Sequence, residues 1–135
     1  MWRELITQSI EEAVFSPSVS GQEISDLERN LGFSLPNSLK SLLSETDGVT
    51  TDYGLGIIWS ALDIRQYNTR KFNSEFRYGL EGWFFFADAG NGDEYAMKVS
   101  DLSIAEPAIF VWRHEDSNIE FVADSLQNYI LGFSP

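Results

Sequence analysis

The sequence predicts an α+β fold, in which helices at both ends of the chain enclose a central, mainly antiparallel sheet. Three observations support this fold class. Apolar residues repeat at three- and four-residue spacing near the amino terminus, which is typical of amphipathic helices. Apolar runs in the middle are joined by short turns, and short turns favour antiparallel pairing. A helical pattern returns at the end, and the length predicts one domain over residues 1–135.

The first part of the chain is predicted to be helical. Pro17 is expected to end a first helix, whose apolar stripe comprises Trp2, Leu5, Ile6, Ile10, Ala13 and Val14. Ser20 and Glu23 have the spacing of a capping box at the start of a second helix. Gly32 is expected to cap the far end of that helix, because glycine adopts a left-handed conformation readily.

A third helix and a first strand are expected next along the chain. Proline fits the first turn of a helix, so we predict a helix from Pro36 to about Glu45 that Asp47-Gly48 stops. The run from Leu55 to Trp59 predicts a strand. Ser60 is expected to cap a helical or irregular segment that continues to Phe72.

The segment GWFFFADAGNGDEYAMKV, residues 82–99, predicts a β-hairpin with an acidic tip. Asn91-Gly92 supplies the turn, because both residues tolerate the positive φ angles that tight hairpins require. Asp88, Asp93 and Glu94 are expected to crowd that turn. An apolar base with a negative rim suits the binding of a cationic partner.

The aromatic run that opens this hairpin has two interpretations. Strand alternation directs Trp83 and Phe85 to one face of the sheet, and Phe84 and Phe86 to the other. Such residues usually belong to the core, but one pair would line a groove if helices covered only one side of the sheet.

The rest of the chain predicts two more strands and a helix. We expect a loop at Asp101–Pro107 and then a strand at Ala108–Trp112. A turn at Glu115–Asn118 is expected to lead into a second strand at Ile119–Val122. Asp124 or Ser125 then caps a final helix. Its apolar residues are Leu126, Tyr129, Ile130 and Leu131.

Composition restricts the classes of partner and compartment. The chain has 21 acidic and 9 basic residues and a net charge of −12, which disfavours nucleic acid as a direct partner because phosphate binding requires Lys and Arg. A basic protein fits this composition better than nucleic acid does. The absence of cysteine excludes disulfides and thiolate metal sites and favours the cytoplasm. We expect neither a secretory signal nor a membrane span.

Residues for catalysis or metal binding are few. His114 is the only histidine, so a triad or zinc site would depend on one imidazole. The run from Asp88 to Glu94 lacks the spacing of the twelve-residue calcium loop, and a hairpin turn explains it more simply. With 21 carboxylates, a pair at catalytic distance is expected by chance. We therefore predict no catalytic residue, no metal and no cofactor.

Two segments resemble a known family by their order and spacing. The first comprises Ile24-x-x-Leu27-Glu28, Leu31-Gly32-Phe33-x-Leu35-Pro36, Leu39-x-x-Leu42-Leu43 and Asp47-Gly48. The second comprises Phe86-Ala-x-x-Gly90-x-Gly92-Asp93-Glu94-Tyr95-Ala96, followed by Ile109-Phe110-Val111-Trp112 and Phe121. Together they resemble the SUKH superfamily, which includes bacterial toxin-immunity proteins and fungal regulators of cell-wall synthesis.

The resemblance implies a non-enzymatic α+β domain that binds and neutralises a cognate toxin domain, commonly a nuclease, inside the producing cell. It supplies no catalytic residues. We expect the partner to meet an acidic surface around Asp88, Asp93 and Glu94, extended by Asp47, Asp52 and Tyr53. One alternative is a regulatory scaffold of the fungal kind, and another is a small-ligand or metal-dependent enzyme. The oligomeric state stays open.

Overall fold

The computed structural model describes residues 1–72, 82–101, 103–104 and 108–133, and the backbone alone for residues 70–72. The described helices are α1 (Trp2–Ser9), α2 (Gly21–Leu31), α3 (Asn37–Leu43), α4 (Ala61–Phe72) and α5 (Leu126–Leu131). The described strands are β1 (Val14–Phe15), β2 (Val49–Thr50), β3 (Gly56–Ile58), β4 (Trp83–Gly90), β5 (Asp93–Lys98), β6 (Ile109–Trp112) and β7 (Ile119–Ala123). This order confirms the predicted α+β fold.

The strands form two antiparallel sheets. The central sheet has the order β4-β5-β6-β7, as expected for strands joined by short turns. The second sheet, with the order β1-β2-β3, was not predicted from the sequence. Strands of two or three residues carry too little periodicity to be recognised locally.

The predicted first helix is too long. Helix α1 ends at Ser9, and Ile10 already has an extended backbone, with φ −130° and ψ 104°. Val14 instead pairs with Thr50 of β2. Its helical spacing was therefore misleading, because strand pairing with a distant segment determines the conformation there.

The helix caps agree with the sequence. The Ser20 side chain accepts a hydrogen bond from the Glu23 backbone N–H at 3.1 Å. Gly32 ends α2 with φ 85°. Helix α3 follows Pro36 but ends at Leu43, earlier than the predicted Glu45.

Helix α4 connects the two sheets. Ser60 accepts a hydrogen bond from the Asp63 N–H at 3.2 Å, which confirms the predicted cap. The side chain of Asn68 is buried and bonds both the N–H and the C=O of Phe85 in β4, at 2.9 and 2.8 Å. The Trp59 N–H donates to Phe86 O at 2.8 Å, so β3 lies beside β4.

The predicted hairpin is formed by β4 and β5. Asn91 and Gly92 make its turn with φ angles of 55° and 87°. The phenylalanines at 84, 85 and 86 are all buried, so the groove that the alternation allowed is not lined by them. Phe86 packs on Tyr129 of α5, with ring centroids 5.7 Å apart.

The end of the chain follows the prediction closely. Strands β6 and β7 pair antiparallel, and the Ser125 side chain caps α5 by accepting from the Asn128 N–H at 3.1 Å. The core side chains Leu126, Tyr129 and Ile130 are buried. The loop predicted at Asp101–Pro107 lies partly outside the described residues.

Candidate functional site

Three adjoining clefts surround the loop 51–55 that joins β2 to β3, here called the β2–β3 loop. Thr51 closes the loop, because its N–H donates to Leu55 O at 2.9 Å and its hydroxyl accepts from Leu55 N–H at 3.0 Å. Gly54 completes the turn with φ 90°. Tyr53 projects from it with 68% of its surface exposed. The loop therefore presents an aromatic side chain from a hydrogen-bonded base.

The largest cleft, here called the tyrosine cleft, has a volume of about 500 Å³. Tyr53, Tyr95, Tyr129 and Phe133 contribute aromatic walls, and Asp88 contributes a carboxylate. Tyr95 and Tyr129 pack edge to face with centroids 4.8 Å apart. The Tyr129 hydroxyl donates to Ile57 O at 2.8 Å, and burial raises the pKa of Tyr129 well above its usual value. This phenol is thus a fixed part of the wall.

A second cleft of about 300 Å³, the aspartate cleft, adjoins the first at Asp88. Asp47 and Asp63 also line it. Backbone donors orient two of these carboxylates: Gly56 N–H donates to Asp88 Oδ2 at 2.9 Å, and Ala61 N–H donates to Asp47 Oδ1 at 2.8 Å. The carboxylates of Asp47 and Asp88 are therefore held in place by backbone hydrogen bonds.

Gly56 makes the approach of the loop to β4 feasible. A Cβ at this position would lie 2.7 Å from Cδ1 of the Trp59 ring and 2.9 Å from Asp88 Oδ2. Real Cβ atoms do not approach other atoms this closely, so a side chain at this position would displace the Trp59 ring or the Asp88 carboxylate.

A third cleft of about 180 Å³, the carboxyl-pair cleft, adjoins the tyrosine cleft at Tyr53. Glu11, Glu12 and Asp52 line it. A hydrogen bond with the Asp52 side chain, followed by the charge of that group, raises the pKa of Glu12. Among the described residues that line the three clefts, none is Lys or Arg. The carboxylates there have no basic neighbour in the cleft walls.

The tip of the β4–β5 hairpin has a different environment. Asp93 Oδ1 accepts from the His114 backbone N–H at 3.1 Å and lies 2.8 Å from His114 Nδ1, while Asp93 Oδ2 lies 3.5 Å from Arg113. The side-chain hydrogen bond from His114 is the largest of the causes that lower the pKa of Asp93. The side chain of Asp93 is 19% exposed. The imidazole also lies against the turn, since a Cβ on Gly92 would be 3.1 Å from it.

The structure brings four of the predicted site residues together. Asp47, Asp52, Tyr53 and Asp88 line the adjoining clefts around the β2–β3 loop. Asp93 and Glu94 line none of these three clefts, and their role in binding stays a prediction.

Sequence reasoning missed several lining residues: Glu11, Glu12, Asp63, Tyr95 and Tyr129. Glu12 and Asp52 are 40 positions apart in the chain and meet because β1 pairs with β2. No local signal reveals that neighbourhood.

Two further properties bear on function. Within residues 1–72, 82–101, 103–104 and 108–133, no three His, Asp or Glu side chains come together as a metal site would require. In the same part of the chain, every helix is too short or too polar to cross a bilayer.

The structure is thus a small α+β fold with adjoining clefts that are lined by aromatic side chains and by carboxylates. The chain belongs to the SMI1 / KNR4 family (SUKH-1), whose model matches residues 18–132. Membership confirms the resemblance found in the sequence and supports an immunity-type or regulatory protein. A comparison with curated proteins finds no match.

Proposed function

We propose that this protein is a cytoplasmic immunity-type protein that binds and neutralises a basic toxin domain without catalysing a reaction. The observation that carries the proposal is the set of three clefts whose walls contain Asp47, Asp52 and Asp88 but no described Lys or Arg. Family membership supports a protein-binding role. A partner with Lys and Arg on its surface would complement these walls.

A nuclease is the toxin class that fits this chemistry best. A nuclease presents cations to the phosphates of its substrate, so a carboxylate-rich protein can occupy the same surface in place of nucleic acid. The net charge of −12 would also steer a basic partner towards the complex. Association would then be fast at low salt and slower when salt screens the charges.

Tyr53 is the expected anchor of the interface. Binding energy concentrates in a few aromatic and arginine side chains, whereas exposed charges mainly set the association rate. Tyr53 stands between the tyrosine cleft and the carboxyl-pair cleft, so a bound partner would contact it from either side.

The family leaves a second candidate, a regulatory interaction protein of the fungal kind. It would use the same surface for host proteins rather than for one toxin. A gene without a toxin gene beside it favours this second candidate.

Co-expression with the carboxy-terminal domain of a toxin encoded beside this gene tests the proposal. We expect the wild-type protein to restore growth and Asp52→Lys to weaken binding by about tenfold or more, through lost attraction and new repulsion. Glu115→Lys is the matched control, because Glu115 is an exposed acid in the β6–β7 turn and lines none of the three clefts.

Growth arrest that is as fast with this protein as without it would refute the immunity function for that toxin. An association rate that does not change with salt would remove electrostatic steering from the proposal.

A further inference from the structure

Resting on the proposed function, we infer that the tyrosine cleft receives an arginine side chain of the partner, with the guanidinium between Tyr53 and the carboxylate of Asp88. We thereby assign one residue type, arginine, to the tyrosine cleft. The general acidity of the surface does not make this assignment, because it fits any cationic partner.

The walls of the cleft match both properties of a guanidinium. Its planar faces stack on aromatic rings, and its edge donates two parallel hydrogen bonds to a carboxylate. Tyr53, Tyr95 and Phe133 supply the rings, and Asp88 supplies the carboxylate. A lysine ammonium is compact and strongly hydrated, so it would gain less from the rings.

Asp88 is oriented for this contact. Its Oδ2 is held by the Gly56 N–H at 2.9 Å. Within the described residues Oδ1 takes part in no hydrogen bond, so it can accept one from a ligand. Asp88 is partly exposed and lines the cleft, so a ligand in the cleft can reach it.

Among the described residues, no cationic side chain lines the tyrosine cleft. Arg113 is absent from the cleft lining, and its guanidinium is paired with Glu120 at 3.3 Å and Asp93 at 3.5 Å. The volume of about 500 Å³ lies in the range of roughly 300–1,000 Å³ that is usual for ligand pockets. It therefore accommodates a long side chain entering from a partner.

The test uses the full chain and three capped peptides, Gly-Arg-Gly, Gly-Lys-Gly and Gly-citrulline-Gly. Citrulline has the shape of arginine without its charge. We expect the arginine peptide to cause saturable NMR shifts at Tyr53, Asp88 and Tyr95, the lysine peptide to bind more weakly, and the citrulline peptide to cause no saturable shift.

Two variants and two matched controls test the assignment. Asp88→Asn keeps an oxygen acceptor for the Gly56 N–H but loses the charge, and Tyr53→Ala removes an exposed ring without touching the core. Each should weaken arginine binding by about tenfold, as loss of a contact to a charged group does. Phe121→Ala, at a residue 63% exposed, and Glu115→Gln should leave it unchanged.

Arginine shifts that map elsewhere, that fail to saturate or that survive both variants would overturn the inference. This result is distinguishable from failure of the proposed function. If only the arginine assignment fails, the wild-type protein still restores growth, although the arginine peptide causes no saturable shift at Tyr53, Asp88 and Tyr95. If only the immunity function fails, the peptide binds the cleft but growth is not restored.

Discussion

The β2–β3 loop and the tip of the β4–β5 hairpin are both acidic turns, but their carboxylates have opposite surroundings. At the hairpin tip, Asp93 is bound by His114 and lies within 3.5 Å of Arg113. At the β2–β3 loop, Asp52 meets another acid, Glu12, and the described cleft walls contain no basic residue. Asp93 therefore has basic partners within the fold, whereas no described Lys or Arg lines the cleft that contains Asp52.

Acids that lie close together in the sequence can therefore have different surroundings in the fold. Residues 88–94 contain three acids within seven positions, yet Asp93 serves to join the hairpin to the β6–β7 turn. The less conspicuous Asp52 has a like-charged neighbour, which is unfavourable in the free protein. A cation supplied by a partner would relieve that repulsion.

Gly48→Ala should have the largest effect, and it tests the support of the β2–β3 loop. Gly48 has φ 84°, and an added Cβ would lie 2.8 Å from Ser60 N and 2.9 Å from Ile58 O. We expect a loss of about 2–5 kcal/mol in the free energy of unfolding, from left-handed strain and backbone overlap together.

Gly90→Ala is the matched control at the hairpin. Gly90 has φ 88°, but nothing lies within 4 Å of the position that an added methyl group would occupy. The Gly90→Ala variant should lose only about 1–2 kcal/mol in the free energy of unfolding, from the left-handed strain alone. Chemical denaturation measures both variants, and equal losses would contradict the close packing at Gly48.

Asp93→Asn should destabilise the protein by about 1 kcal/mol at pH 7, because His114 and Arg113 lose a charged partner at a partly exposed site. The folded-state pKa of Asp93 is lowered, so its contribution is present above the unfolded pKa of about 3.9 and is lost as the pH falls through the folded value. Unfolding at pH 7 and below pH 4 checks this, and a pH-independent difference would refute it.

Asp52→Asn should have a smaller effect of the opposite sign. Asp52 raises the pKa of Glu12, so the Glu12 carboxyl holds its proton more tightly in the folded state than in the unfolded chain. Wild-type stability therefore falls as the pH rises from the ordinary value of 4.5 through the raised one. Thermal melts from pH 4 to 8 should show that the stability of the variant increases relative to that of the wild type as the pH rises. A variant that loses stability at pH 8 would contradict the unfavourable pair.

His114→Ala should have the smallest effect, about 0.5 kcal/mol or less, as for an exposed ion pair. The backbone N–H of residue 114 still donates to Asp93 after the substitution. Protection against the toxin should be unchanged. Loss of protection by a well-folded variant would indicate a specific role for the imidazole.

The sequence by itself determined the features that depend on neighbouring residues. The caps at Ser20, Ser60 and Ser125 are each specified by residues a few positions apart, and the Asn91-Gly92 turn follows from the φ preferences of two residues. The α+β class followed from these local elements and their order along the chain.

Only the tertiary structure decided where the clefts lie and which carboxylates have a basic neighbour among the described residues. Strand β1 was predicted as helix, and its pairing with β2 is what brings Glu12 to Asp52. His114 reaches Asp93 from 21 positions away. Electrostatic energy depends on the distance between charges in space, and the local signals of a sequence report distance only along the chain.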